Sequence, residues 1–216
     1  MNKKEVIERM CASGVLPVFR TSDIRHLTAA SNALYDAGIA FVEYTMTMPK
    51  ALEMIAQGVA ALPQDLFLGA GTIVDGETVD RAVQAGAKFI ASPGVSPAMI
   101  EACNRHGVVS VVGAVTPTEI MHALDLGADI IKVFCAASVG PVFFENMPGP
   151  FPGICMMAAG GMTLQNLKDY IVAGAQIVTM VPNLADPEAY ASGDCQIITR
   201  TAAKWVAAVK AARQSK

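Results

Sequence analysis

Short continuous apolar runs, the pattern of buried strands, alternate along this chain with longer stretches of helical spacing. Four of the runs open on one motif: Ala37-Gly38-Ile39-Ala40-Phe41-Val42, Ala85-Gly86-Ala87-Lys88-Phe89-Ile90, Leu126-Gly127-Ala128-Asp129-Ile130-Ile131 and Ala173-Gly174-Ala175-Gln176-Ile177-Val178. The glycines stand 48, 41 and 47 residues apart. Each closes an amphipathic stretch and precedes an apolar one, as a helix-capping glycine does before a strand. A period of about 45 residues is too long for one strand and one helix but fits two of each, so four repeats give eight β-α units.

The repeat predicts strands over 41–46, 89–92, 130–134 and 177–181. The strands between them are expected over 15–20, 66–69, 108–114 and 154–158. Helical spacing covers 24–37, 50–61, 77–85, 97–106, 118–126, 163–173 and 195–213, with an extra helix over 3–12. Segment 136–153 is irregular, with a short helix expected over 140–147. Strands alternating with helices imply a parallel sheet, and eight imply closure. The expected fold class is α/β, a small (β/α)8 TIM barrel with an extra N-terminal helix, and one domain spans 1–216. An open doubly wound sheet is the competing architecture; the regular quarter repeat argues against it.

Composition narrows the function classes. Hydrophobic residues form 53% of the chain, enough for a barrel interior and a layer between sheet and helices. A net charge of −3 without a basic run argues against a nucleic-acid partner. No apolar run approaches membrane-spanning length, and the opening Met1-Asn2-Lys3-Lys4-Glu5 lacks the apolar core of a signal peptide. Cys11, Cys103, Cys135, Cys155 and Cys195 are odd in number and show no metal-ligand spacing. They point to a reduced cytoplasm, with no metal or other cofactor. His26, His106 and His122 fall on helical stretches and receive no role.

The chemistry is expected at Lys132, a charge set in the apolar run Asp129-Ile130-Ile131-Lys132-Val133-Phe134. Desolvating an ammonium is costly, so such a position calls for a reason. Five residues beyond the repeat glycines stand Glu43, Ala91, Lys132 and Thr179. Inward side chains of such a barrel stack in layers supplied by alternate strands, so these four are expected to share one. Phe41, Phe89, Ile130 and Ile177 would form the layer below, and Thr45, Pro93, Phe134 and Val181 the layer above, at the C-terminal mouth. Strands two and six lie across the barrel, so Glu43 and Lys132 would point to a common centre, provided the register is right. A buried structural ion pair, or a lysine snorkelling to the mouth, are the competing readings.

A desolvated lysine in a barrel mouth is a candidate Schiff-base nucleophile, with Glu43 placed to shuttle protons. Arg20, ending strand one, suits a carboxylate or phosphate. Gly69-Ala70-Gly71-Thr72 could bring backbone N–H groups and the Thr72 hydroxyl to an anion, or could be only a tight turn. Ala91-Ser92-Pro93-Gly94 is similarly ambiguous.

Across nearly its whole length the chain resembles the bacterial 2-keto-3-deoxy-6-phosphogluconate / 4-hydroxy-2-oxoglutarate aldolases, class I enzymes on a small (β/α)8 barrel. The resemblance is carried, in order, by Pro17-Val18-Phe19-Arg20, Val42-Glu43-Tyr44-Thr45, Gly69-Ala70-Gly71-Thr72, Ser92-Pro93-Gly94, the run from Gly113 to Glu119, Ile131-Lys132-Val133-Phe134, Gly149-Pro150-Phe151-Pro152 and Gly160-Gly161. It implies Lys132 as the Schiff-base lysine and Glu43 as general acid/base. It also implies Arg20, Thr72, Pro93 and Phe134 at the pyruvate end of the substrate site, Gly160 and Gly161 as further substrate-binding residues, and a homotrimer without metal.

The departures concern the anion. Thr47 stands where many members have an arginine, which leaves more of the anion binding to Arg20. Cys135 follows Phe134 where proline is favoured, and Ala158-Ala159 replace Pro-Thr before the double glycine. In strand eight Thr179-Met180-Val181-Pro182 replaces Gly-x-Gly-Ser, a phosphate cradle; proline has no N–H, and valine blocks close backbone approach. The resulting expectation is an aldehyde-lyase yielding pyruvate from a non-phosphorylated 2-keto-3-deoxy or 4-hydroxy-2-keto acid. The phosphorylated sugar acid and a non-catalytic keto-acid-binding barrel are the alternatives.

Overall fold

The computed structural model describes residues 2–215. In chain order the elements are α1 (Lys3–Ser13), β1 (Val15–Phe19), α2 (Leu27–Asp36), β2 (Phe41–Thr45), α3 (Ala51–Ala61) and β3 (Phe67–Gly71). Then come α4 (Gly76–Gln84), β4 (Phe89–Ala91), α5 (Pro97–His106), β5 (Val109–Gly113), α6 (Pro117–Asp125) and β6 (Ile130–Phe134). The remainder is α7 (Ala136–Val139), α8 (Pro141–Asn146), β7 (Met156–Ala159), α9 (Leu167–Ala173), β8 (Ile177–Met180), α10 (Pro182–Ala185), α11 (Pro187–Ser192) and α12 (Cys195–Gln214). Every strand pairs in parallel with its neighbours, and β8 returns to β1, closing the barrel. No helix among the described residues is long and apolar enough to cross a membrane.

Side-chain parity divides the apolar residues into two cores. Leu16, Phe41, Phe67, Phe89, Val109, Val111, Ile130, Met157 and Ile177 fill the barrel. Val42, Leu68, Ile90, Val112, Ile131, Met156 and Val178 pack outward against the helices. On β2 the alternation is complete: Tyr44 faces out and its hydroxyl lies 2.8 Å from Ser31 Oγ on α2. Burial pushes that phenol up to about 12. Its neighbours Glu43 and Thr45 therefore point in.

Helix α1 stoppers the barrel's N-terminal end. Asn2 caps it in a reciprocal box with Glu5, and Gly14, at φ +69°, ends it. Its buried Val6 and Met10 join Leu16 and Phe41 in the inner core.

All eight expected strands and all expected helices are present, with shifted ends. Strand seven begins at Met156, not 154, and β3 runs on to Gly71. The helix expected from 163 begins at Leu167, because Thr163 and Asn166 bond each other's backbone N–H groups and hold a turn. The helix expected from 24 begins at Leu27, because Thr21 and Asp23 side chains accept from the next turn's backbone. Pro93 and Val181, expected in an upper barrel layer, lie beyond their strands in the loops of the mouth.

Candidate active site

Barrel closure puts β2 and β6 on opposite walls. Glu43 and Lys132 each stand two residues above an inner-core residue, Phe41 and Ile130, and so face the interior in one layer with Ala91 and Thr179. Glu43 is 1% exposed and Lys132 8%. Among the described residues neither forms an ion pair within 4.0 Å. The structural salt bridge is therefore absent, and Lys132 as a residue is buried. Glu43 Oε2 is fully buried without a hydrogen-bond partner. A buried carboxyl oxygen is seldom left so, which marks a group free to bond a ligand entering the barrel.

Neighbouring glycines make room for this arrangement. A Cβ on Gly71 would overlap the Glu43 carboxylate, and one on Gly69 would overlap the Phe89 ring. The glutamate thus lies across β3, held by shape. Gly113 plays the same part on β5, where a Cβ would strike the Pro93 backbone. The 92–94 turn can therefore fold over the strand end, held by Ser92 Oγ donating to the Gly94 carbonyl at 2.7 Å. Phe134 ends β6 as a 47% exposed residue, its ring centroid 5.8 Å from Lys132 Nζ.

Arg20 follows β1 and is fixed from two sides: Nη1 donates to Thr47 Oγ1 at 3.1 Å and Nη2 to Thr72 Oγ1 at 2.9 Å. Thr72 holds a left-handed backbone, φ +62°, unusual for a β-branched residue. Thr45 Oγ1 donates to the Phe19 carbonyl at 3.0 Å and lies 2.9 Å from Thr47 Oγ1, tying β1 to β2 beneath the guanidinium. Thr47 is thus a positioning group that the sequence reading treated only as a missing arginine.

Gly160 and Gly161 follow β7 at φ +86° and +79°, and a side chain on either would collide with Cys135 or Ala137. They line a cleft of about 460 Å³ between the β7 and β8 ends and α12. Its other walls include Met162, Leu164, Val181, Ala185 and Trp205, and Thr179 joins it to the lysine layer. No charged side chain among the described residues lines it. Sequence reasoning missed Trp205 and the cleft, since α12 is remote in sequence from both loops. Six of the eight expected site residues, Glu43, Lys132, Arg20, Thr72, Pro93 and Phe134, sit in or over the barrel mouth, and the two glycines lie beside it.

Comparison with known proteins places this geometry in context. A family model described as KDPG and KHG aldolase matches residues 6–201. The chain is 31% identical over 194 residues to a 2-dehydro-3-deoxy-phosphogluconate aldolase of Pseudoalteromonas atlantica, covering 89% of this chain and 90% of the relative. It is 31% identical to the 2-dehydro-3-deoxy-6-phosphogalactonate aldolase of Escherichia coli K12, covering 85% and 86%. Among solved structures, the KDPG aldolase of Legionella pneumophila, with pyruvate captured as a covalent carbinolamine intermediate, superposes with a TM-score of 0.82 at 25% identity, covering 90% of this chain and 94% of that one.

Proposed function

Because the chain belongs to the KDPG and KHG aldolase family, we propose that it is a class I aldolase that cleaves or forms a 2-keto-3-deoxy or 4-hydroxy-2-keto acid through a Schiff base on Lys132. The observation that carries this reading is the buried Lys132 opposite a buried Glu43 whose Oε2 has no partner. In the cleavage direction Lys132 Nζ attacks the C2 ketone. Glu43 protonates the carbinolamine hydroxyl, which leaves as water and yields an iminium ion. The iminium draws in the electrons of the C3–C4 bond as the C4 hydroxyl passes its proton to Glu43, and the aldehyde departs. The enamine takes a proton at C3, and water hydrolyses the imine to release pyruvate and the free amine.

Arg20, braced by Thr47 and Thr72, is suited to the substrate carboxylate. Pro93 and Phe134 border the same end. The substrate favoured here is non-phosphorylated, because the β8 end carries Val181 and Pro182 and the cleft beside it carries no charge among the described residues. The names of the relatives favour the phosphorylated acid as the second reading. The resemblance also supports a cytoplasmic homotrimer, which light scattering and fractionation test.

The deciding experiment is mass spectrometry after pyruvate and borohydride. One reduced pyruvyl group on Lys132, absent from Lys132→Ala, is expected. Labelling of another lysine, or of none, overturns the mechanism. Lys132→Arg is expected to be inactive, because a guanidinium stays protonated.

A further inference from the structure

We propose that the cleft between β7, β8 and α12 binds an uncharged, apolar substituent on the aldehyde side of the substrate, so that this enzyme makes or breaks 4-hydroxy-2-oxo acids bearing an alkyl or aryl group beyond C4. The inference rests on the aldolase reading above and adds the substrate class.

Three observations converge on it. The first is continuity. Thr179 stands in the interior layer of Lys132 and also lines the cleft. The Arg20 guanidinium leans toward Thr47 and Thr72, beyond β2 and β3, so pyruvate bonded to Lys132 with its carboxylate on Arg20 would direct the rest of the chain to the other side of the mouth. The space open to it at the β7 and β8 ends is this cleft. The second is chemistry. Met162, Leu164, Val181, Ala185 and the largely buried Trp205 form its apolar walls, and its polar side chains, Thr163, Gln165, Thr179 and Thr201, are all neutral.

The third is what an anion would meet there. Pro182 opens α10 without an N–H, that helix has only four residues, and no lysine or arginine among the described residues lines the walls. A dianion moved from water into such walls loses hydration without gaining a counter-charge. An apolar chain gains by leaving water, by about fourfold in affinity for each methylene buried. A volume of about 460 Å³ is within the range for small-ligand sites and leaves room for a six-carbon chain or a phenyl ring.

The test uses the intact enzyme in the condensation direction, with pyruvate fixed and the aldehyde varied through propanal, butanal, pentanal, hexanal, phenylacetaldehyde and glyceraldehyde 3-phosphate. We expect kcat/KM to rise about fourfold per methylene from propanal to hexanal. We also expect phenylacetaldehyde to exceed glyceraldehyde 3-phosphate. Thr201→Arg, which sets a cation in the cleft wall, should shift that ratio toward the phosphorylated aldehyde. Borohydride trapping of pyruvate on Lys132 is run alongside. Trapping with a flat series, or with the phosphorylated aldehyde preferred, overturns the cleft assignment alone; the amides of Gly160 and Gly161 would then be the anion site. Failure of wild-type trapping overturns the aldolase reading and this inference with it.

Discussion

The Glu43 carboxylate occupies the space that a side chain on Gly71 would fill. One strand positions the acid by what its neighbour lacks. Gly71→Ala should therefore act as a mutation of Glu43. Turnover is expected to fall by about 10²–10⁴-fold, the range for a lost general acid/base, and Glu43→Gln should fall equally. The double variant should be no worse than either single one, because both act through one carboxylate. Wild-type turnover in Gly71→Ala, or additive losses in the double variant, would separate the glycine from the acid.

Arg20 is expected to govern pyruvate affinity more than turnover. Charge-assisted hydrogen bonds contribute roughly 1.5–3 kcal/mol, so Arg20→Lys, which loses the planar fork, should raise KM for pyruvate by about 10–100-fold. Steady-state kinetics with pyruvate as the varied substrate measure this. An unchanged KM would leave the carboxylate to another group.

Thr72 offers a test in which stability and activity move apart. A non-glycine residue held in the left-handed region carries strain of about 1–3 kcal/mol, and φ at Thr72 is +62°. Thr72→Gly relieves that strain and removes a hydroxyl that fixes Arg20. Its melting temperature should match or exceed the wild type while KM for pyruvate rises. A large loss of thermal stability would show that the hydroxyl, not the strain, dominates the loop's energetics.

Helix α6 gives a pH prediction. Glu119 Oε2 accepts from Val115 N at 2.9 Å, Thr116 N at 3.0 Å and Thr116 Oγ1 at 3.0 Å, completing a capping box. The Val115 backbone bond, ahead of the Thr116 side chain, holds the carboxyl below its ordinary 4.5. A depressed folded-state value means the stabilisation is complete above the unfolded value and is lost as pH falls through the folded one. Glu119→Gln should cost at most about 0.5 kcal/mol near neutrality, because the carboxylate is exposed and screened by solvent. The gap to wild type should narrow on acidification below about pH 4, where the unfolded carboxyl takes up its proton. Thermal melts across that range check it; a gap independent of pH would show that only shape was lost.

The sequence was most informative where one residue repeats a physical task. The four glycines Gly38, Gly86, Gly127 and Gly174 follow helix ends and carry positive φ in the structure. Their spacing disclosed the barrel and set the inward register of Glu43 and Lys132. Strand ends were less legible, because the inner and outer cores both want apolar side chains and the boundary depends on hydrogen bonds, as at Ile154 and Gly71. Helices α10 and α11 were not foreseen. Their signals, Pro182 and Pro187 at first helical positions and Asp186 capping Ala189, are local and short. The cleft was illegible for a different reason: Trp205 meets Gly160 and Val181 only after the chain has closed on itself.

Helix α1 turns the barrel from a tube into a cup. With Val6 and Met10 seated in the inner core, the floor is shut and the lysine layer opens to solvent at one end alone. Keto acid, aldehyde and the waters lost and regained at the imine must all use that single doorway. An aldehyde still lodged at the rim would stand between water and the imine. Order of release is then a property of the architecture: the aldehyde leaves first, and pyruvate can be freed only after it has gone.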